Sequence, residues 1–290
     1  MQYDVVLPAA AGTSADPAWV AGFAQHVEAC GFAGLVVVEH SVVVRDYTST
    51  YPYDSSGRME LAPGCDVPDP LDLLAYLAGL TSRIALATGV LVLPNHHPVV
   101  LAKRAATVDA LSGGRLRLCV GMGWMREEVE ACGVAFETRG RRADEQLAVL
   151  RALWEGDDEG VDHDGEFFRL RAAVSFPKPA HRIPVLVGGH SPAAARRAGR
   201  LADGLQPLGV KGEELQGLVR TMREEAERCG RDPDVLELAL GHAVPAVTTE
   251  KAERLAALGA DRVVLAATPL ADLDAARDEL SACAARLGLS

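Results

Sequence analysis

The chain has 290 residues, 49% of them hydrophobic, and its 29 Lys and Arg against 40 Asp and Glu give a formal net charge of −11. That length is within the range of one (β/α) barrel with a large core, and an acidic balance without a Lys/Arg cluster excludes an electrostatic nucleic-acid or anionic-membrane footprint. The six cysteines are scattered with no C-x-x-C, which reads as reduced thiols of a cytoplasmic protein rather than a disulfide framework or a zinc site. In chain order, the opening "MQYDVVLPAAAG" carries no basic leader and enters a strand at Tyr3–Ala9. Asp16 caps a helix that has Pro17 at its first position and ends at Gly31. A second strand, "AGLVVVE", runs into Glu39-His40, and a polar loop occupies about 41–68. Asp69-Pro70 starts the next helix. "RIALATGVLVL" reads as a third strand, "PVVLAKRAATVDALSGG" as a helix with a glycine stop, and "RLRLCVGMG" as the fourth strand.

Between Trp124 and Pro184 the rhythm breaks. A strong helix covers Arg142–Trp154, and about 156–183 reads as an inserted β-hairpin with turn residues and short alternating runs. The alternation then resumes with "PVLVGG", "SPAAARRAGRLA", "DGLQPLG", a long acidic helix from Gly212, "VLELALG", "TEKAERLAALGA", "DRVVLAA" and a final helix. About eight strand–helix units of near-continuous Val, Leu and Ala indicate an α/β fold, a (β/α)8 TIM barrel with a mid-chain insertion, forming a single domain over 1–290. An open doubly wound sheet is the alternative.

In such a barrel the chemistry lies at the carboxyl ends of the strands. "GGHSP", Gly188 to Pro192, ends the fifth strand. Its two glycines admit close backbone approach, Ser191 fits an N-cap, and the helix N-terminus suits a phosphate. A plain, well-capped βα turn fits the same residues. "GMGWMREE", Gly121 to Glu128, is half of a dinucleotide fingerprint, but Arg126 stands where its third glycine would be, so the Rossmann reading fails. Gly89 inside the third strand marks a bulge, a close ligand or helix packing. His96-His97 is bracketed by Pro94 and Pro98 and reads as a turn, and no metal site is expected. Glu39-His40 interrupts "LVVVEHSVVV" at a strand end. The long loop carries Tyr47, Tyr51, Tyr53 and Arg58, a composition suited to a lid over a small-molecule substrate.

Taken together, "VVVEHSV", the block from Thr81 to Gly133, and "PVLVGGHSPAAARRAGRLADG" resemble the luciferase-like monooxygenase superfamily, most closely its coenzyme F420-dependent oxidoreductase branch. The resemblance spans nearly the whole chain. It implies a cofactor ring at the barrel mouth, backed by a non-proline cis peptide at Gly89–Val90. It implies a cofactor phosphate at Gly188, Gly189, His190 and Ser191, with Gly121, Gly123 and Trp124 lining the cofactor. His40 would be the catalytic acid or base. Glu39 is the candidate to orient it, although neighbouring side chains on a strand point oppositely and Glu39 would then bond behind the strand. The sugar-phosphate dehydrogenases of the family place a glutamate where this chain has Trp124, which argues against glucose 6-phosphate as substrate. The reading is hydride transfer between F420 and a small organic substrate, in a homodimer. Its alternatives are an FMN-dependent monooxygenase, a non-catalytic flavin-binding protein, and a barrel aldolase or isomerase, which would want a strand-end lysine that this chain lacks.

Overall fold

The computed structural model describes residues 1–289. Its strands and helices alternate as β1 (Gln2–Val6), α1 (Pro17–Ala29), β2 (Gly34–Val37), α2 (Pro70–Ala78), β3 (Ala85–Thr88), β4 (Leu91–Val92), α3 (Pro98–Ser112), β5 (Leu116–Gly121), α4 (Arg126–Ala131) and α5 (Arg139–Glu155). They continue as β6 (Val161–Asp164), β7 (Arg169–Ala173), β8 (Val185–Gly188), α6 (Pro192–Leu201), β9 (Gly204–Gln206), α7 (Gly212–Arg228), β10 (Glu237–Ala243), α8 (Thr249–Ala257), β11 (Arg262–Ala266) and α9 (Leu273–Leu287). Three helices begin as their sequences demand. Asp16, Asp69 and Ser191 accept hydrogen bonds from the first-turn amides, and a proline occupies the first helical turn each time.

All barrel pairings are parallel, in the order β3-β2-β1-β11-β10-β9-β8-β5, and β3 pairs with β5 to close the ring. With β3 and β4 as one interrupted strand, this is the closed (β/α)8 barrel that the alternation predicts. Side chains alternate between two cores. Val36, Ala87, Cys119, Leu186, Ala239 and Val264 fill the barrel, while Leu35, Leu86, Leu118, Val185 and Val263 pack outward under the helices. Burial on both faces explains why the strands read as unbroken apolar runs. Each fully buried leucine, such as Leu35 at 0% exposure, contributes on the order of 1.5–3 kcal/mol.

The third strand, read from Arg83 to Leu93 with Gly89 as the point of interruption, is split at that glycine. The Gly89–Val90 peptide between β3 and β4 is cis. β3 follows β2 in register (Val37 opposite Thr88), while β4 pairs only with β5 (Leu91 opposite Val120). The insertion is an antiparallel hairpin, β6–β7. Glu145 of α5 fixes it by accepting the amides of Phe167 and Phe168 at 2.9 and 2.8 Å and meeting His163 Nε2 at 3.0 Å. Among the described residues no helix is long and apolar enough to cross a membrane.

Candidate active site

A cavity of about 380 Å³ opens at the carboxyl ends of β2, β3–β4, β5, β8 and β9, a size ordinary for a small-molecule site. Its floor is made by Val90. Cβ atoms built at Gly121 and Gly188 would come 2.6 and 2.5 Å from the Val90 side chain, and one at Gly89 would overlap Val36. Glycine at Gly121 and Gly188 is therefore what lets the Val90 isopropyl group lie across the barrel mouth as an apolar surface, while glycine at 89 keeps clear of Val36. Gly123 has φ +79°, a left-handed turn that lifts Trp124 over this floor.

His40 follows β2, at one side of the cavity. Its Nδ1 lies 2.9 Å from Oε2 of Glu128, on α4, and the other oxygen of that carboxylate accepts the Ser41 amide at 2.6 Å. Glu128 is 2% exposed and His40 12%. An ionised carboxylate can only accept, so Nδ1 carries a proton and Nε2 is the nitrogen left for a ligand.

The expectation that Glu39 orients His40 is corrected by this geometry. Glu39 lies in the same cavity wall, but its carboxylate turns the other way, 2.6 Å from His96 Nε2 and 2.5 Å from the Val92 amide. The two side chains diverge just past the end of β2, where the chain has left the strand. Glu39 thus ties the end of β2 to β4, and His96, read as a mere turn residue, is its partner. The residue that sequence reasoning missed is Glu128. It stands 88 positions from His40, and its only local signal is its place in the first turn of a helix after a strand.

The loop from Ser41 to Val67 has no regular structure but is well tied. Glu127, beside Glu128 on α4, accepts from the Thr48 amide (2.6 Å) and hydroxyl (2.9 Å), and from the Ser49 amide (3.2 Å) and hydroxyl (2.7 Å). Burial pushes the Glu127 carboxyl up, but these hydrogen bonds, Ser49's first, outweigh it and bring it down to about 2. At the far end of the loop, Cys65 Sγ meets the Ala9 carbonyl at 2.9 Å.

From this frame an aromatic arch crosses the cavity. Trp124 and Tyr51 meet edge-on at 5.1 Å between centroids, Tyr51 and Tyr53 at 5.4 Å, and Tyr53 and His190 at 5.3 Å. Tyr51 and Tyr53 therefore sit where the loop composition placed them. Tyr47 and Arg58 do not line the cavity. Tyr47 is buried behind Trp124 at 5.2 Å, and its hydroxyl accepts the Met59 amide. The Arg58 guanidinium stacks on Tyr47 at 4.5 Å and donates to the Tyr47 carbonyl at 2.8 Å. These two brace the loop from outside. Spacing within an irregular loop carries no information about which side a residue faces, so the sequence could not separate them from Tyr51 and Tyr53.

At the opposite side, Gly188, Gly189, His190 and Ser191 line the cavity at the N-terminus of α6. His190 Nδ1 is buried without a partner. Two arginines that sequence reasoning did not single out, Arg139 and Arg197, face the same region. Arg197 is 8% exposed, pairs with Asp144 through Nε, and donates to the Gly140 carbonyl at 3.1 Å. Arg139 Nε is buried and unpartnered. Burial first, then the neighbouring charges of Arg126 and Arg197, lower Arg139 from the usual guanidinium value. A helix N-terminus, two guanidinium groups and unmatched donors make this end a place for an anion.

An apolar floor, an anion-accepting end and an imidazole between them fit a phosphate-bearing planar cofactor. A family model described as luciferase-like monooxygenase matches residues 1–286. An uncharacterized protein of Mycobacterium tuberculosis is 35% identical over 208 residues, 72% of this chain and 71% of that one. A protein of Nakamurella multipartita named F420-dependent glucose-6-phosphate dehydrogenase is 32% identical over 203 residues, 68% of this chain and 56% of that one. The solved structure of an F420-dependent secondary alcohol dehydrogenase in complex with an F420–acetone adduct superposes with a TM-score of 0.77, over 99% of this chain and 98% of that one, at 17% identity. At that identity the likeness is one of fold.

Proposed function

This chain belongs to the luciferase-like monooxygenase family, and from that premise we propose that it is an oxidoreductase transferring a hydride between the deazaflavin coenzyme F420 and a small organic substrate. The observation that carries the reading is the His40–Glu128 pair, set at one wall of a cavity whose floor is Val90 and whose far end accepts an anion. The relative named as F420-dependent supports the choice of cofactor. The residues present fit that group. Val90 would back a planar ring, and the Gly188–Ser191 turn with Arg139 would hold a phosphate. When bound, F420 would supply or accept the hydride.

The remaining chemistry belongs to this chain. His40 Nε2 gives or takes the proton at the substrate oxygen. Glu128 keeps the proton on Nδ1 and fixes the ring plane. The arch of Trp124, Tyr51 and Tyr53 excludes water from the reacting atoms. A homodimer is the assembly we propose by resemblance; sedimentation velocity tests it, against a chain mass of 30.6 kDa.

Titration with F420 and with FMN, following quenching of each cofactor's fluorescence, tests the reading. Binding of F420, with hydride transfer that does not consume oxygen, is expected. Binding of FMN alone, with oxygen consumed in turnover, would sink it.

A further inference from the structure

We infer that the substrate is an uncharged, largely apolar molecule with a single polar reacting group, and that Trp124 sets this choice; the inference rests on the oxidoreductase reading above. The cavity has two chemically distinct ends. Its only Lys or Arg lining residues, Arg139 and Arg197, stand beside the N-terminus of α6. Arg139 and Arg197 act on each other electrostatically, so the cavity's positive charge is gathered there.

The wall beside His40 is made by Trp124 and Tyr51, with Met59 next to them through Tyr47, and Tyr53 carries the lining on toward His190. Trp124 presents its edge to His40, at 6.4 Å and 83°. Tyr47 holds it from behind, itself fixed through its hydroxyl. Burial, then the charges of Glu60, Asp54 and the neighbouring Tyr47, raise the Tyr51 phenol above its usual range, so it stays neutral.

The ionisable groups around that wall are already committed. Arg58 is turned onto Tyr47, and Arg126 is bound to Glu130 and Glu137 at 3.0 and 2.6 Å. The two carboxylates of the cavity, Glu39 and Glu128, are engaged by His96 and Val92 and by His40 and Ser41. A phosphate or a carboxylate in this half would leave water and meet aromatic rings, a thioether and the neutral phenols of Tyr51 and Tyr53, with no free cationic partner. That transfer is unfavourable without a compensating partner. An apolar body fits the wall and leaves one oxygen to reach His40 Nε2. This chain therefore diverges from the glucose 6-phosphate specificity named for its relative.

Calorimetric titration with cyclohexanone and with glucose 6-phosphate, on the protein alone and on protein loaded with F420, separates the possibilities. Cyclohexanone is expected to bind at least about tenfold tighter than glucose 6-phosphate, to lose about tenfold in Trp124→Ala and to keep its affinity within about threefold in Trp124→Phe. Tighter binding of glucose 6-phosphate, no detectable binding of cyclohexanone, or an unchanged cyclohexanone affinity in a folded Trp124→Ala protein overturns the inference. If Trp124→Ala does not fold, Trp124→Glu takes its place under the same criteria. F420 fluorescence left unchanged on mixing would refute the cofactor reading alone, because the titration of the protein without F420 still reads the preference of the wall.

Discussion

The two ends of the barrel hold the same kinds of side chain and use them differently. At the amino-terminal end, Arg262 Nη1 meets Asp4 at 2.5 Å, Arg117 Nη2 meets both oxygens of Glu237 at 2.7 and 2.6 Å, and Arg262 Nε lies 3.5 Å from Glu237. The four charges close on one another inside the strands, with Asp4 and Arg262 only 2% and 8% exposed. At the carboxyl end, His40 has one nitrogen held by Glu128 and one free for a ligand, while His190 Nδ1 and Arg139 Nε are buried with nothing to bind. The lesson is that burial of polar groups does not itself mark a site. Arg262 Nε also lacks a hydrogen-bond partner, so what distinguishes the mouth is that its unmatched groups belong to residues lining an open cavity of about 380 Å³, where a ligand can complete them.

The sharpest break of this comparison separates activity from stability. His40→Ala is expected to lower kcat by about 100- to 10,000-fold, the usual worth of a positioned acid or base, with the melting temperature nearly unchanged. An unaltered rate with a verified substrate would remove His40 from the mechanism. At the other end, Arg262→Ala leaves Asp4 buried without its partner. It should cost about 3–5 kcal/mol of unfolding free energy in denaturant titration, with F420 affinity in the folded fraction untouched. A loss of cofactor binding in proportion to stability would show that the ends are not independent. Smaller again is Glu128→Gln. Losing a charge-assisted hydrogen bond of about 1.5–3 kcal/mol predicts a loss of about 10- to 100-fold in kcat with KM nearly unchanged. A purely structural Glu128 would lower stability and leave kcat of the folded protein in place.

The smallest effect concerns acid. The Glu127 carboxyl is lowered from an ordinary 4.5 to about 2, so its hold on the loop is complete above about pH 4.5 and is lost as the pH falls from there toward 2. The protection of the Thr48 and Ser49 amides, relative to their intrinsic exchange rates, should fall as the pH drops through that window and stay flat above it. In Glu127→Gln the fall should vanish, the loop being equally loose at both ends of the range.

Much of this architecture was legible before any coordinates. Proline and aspartate at the helix starts, and apolar runs buried on both faces, reveal the eight units, because these signals are local. His40 was legible as an ionisable group stranded in an apolar run, although the run leaves the strand at Val37, before Glu39 and His40. The partner of His40 was not. A carboxylate 88 residues away becomes a neighbour only when β2 and the helix after β5 come together at the barrel mouth. Arg139 and Arg197 were hidden for the same reason, one at the start of α5 and the other in the second turn of α6, each reading as an ordinary helix surface charge.

The adjacency of Glu127 and Glu128 has a consequence for how this scaffold can change. One short helix grips both His40 and the root of the loop, whereas the tip is closed on itself, the Tyr51 amide donating to the Gly57 carbonyl and Ser56 to Asp54. Residues 52–64 are in effect a cassette clamped at the root by Glu127 and at the far end by Cys65. A library of sequences and lengths grafted there varies the roof of the pocket while His40 and Glu128 stay as they are, which makes this loop the place to retune the enzyme for new compounds.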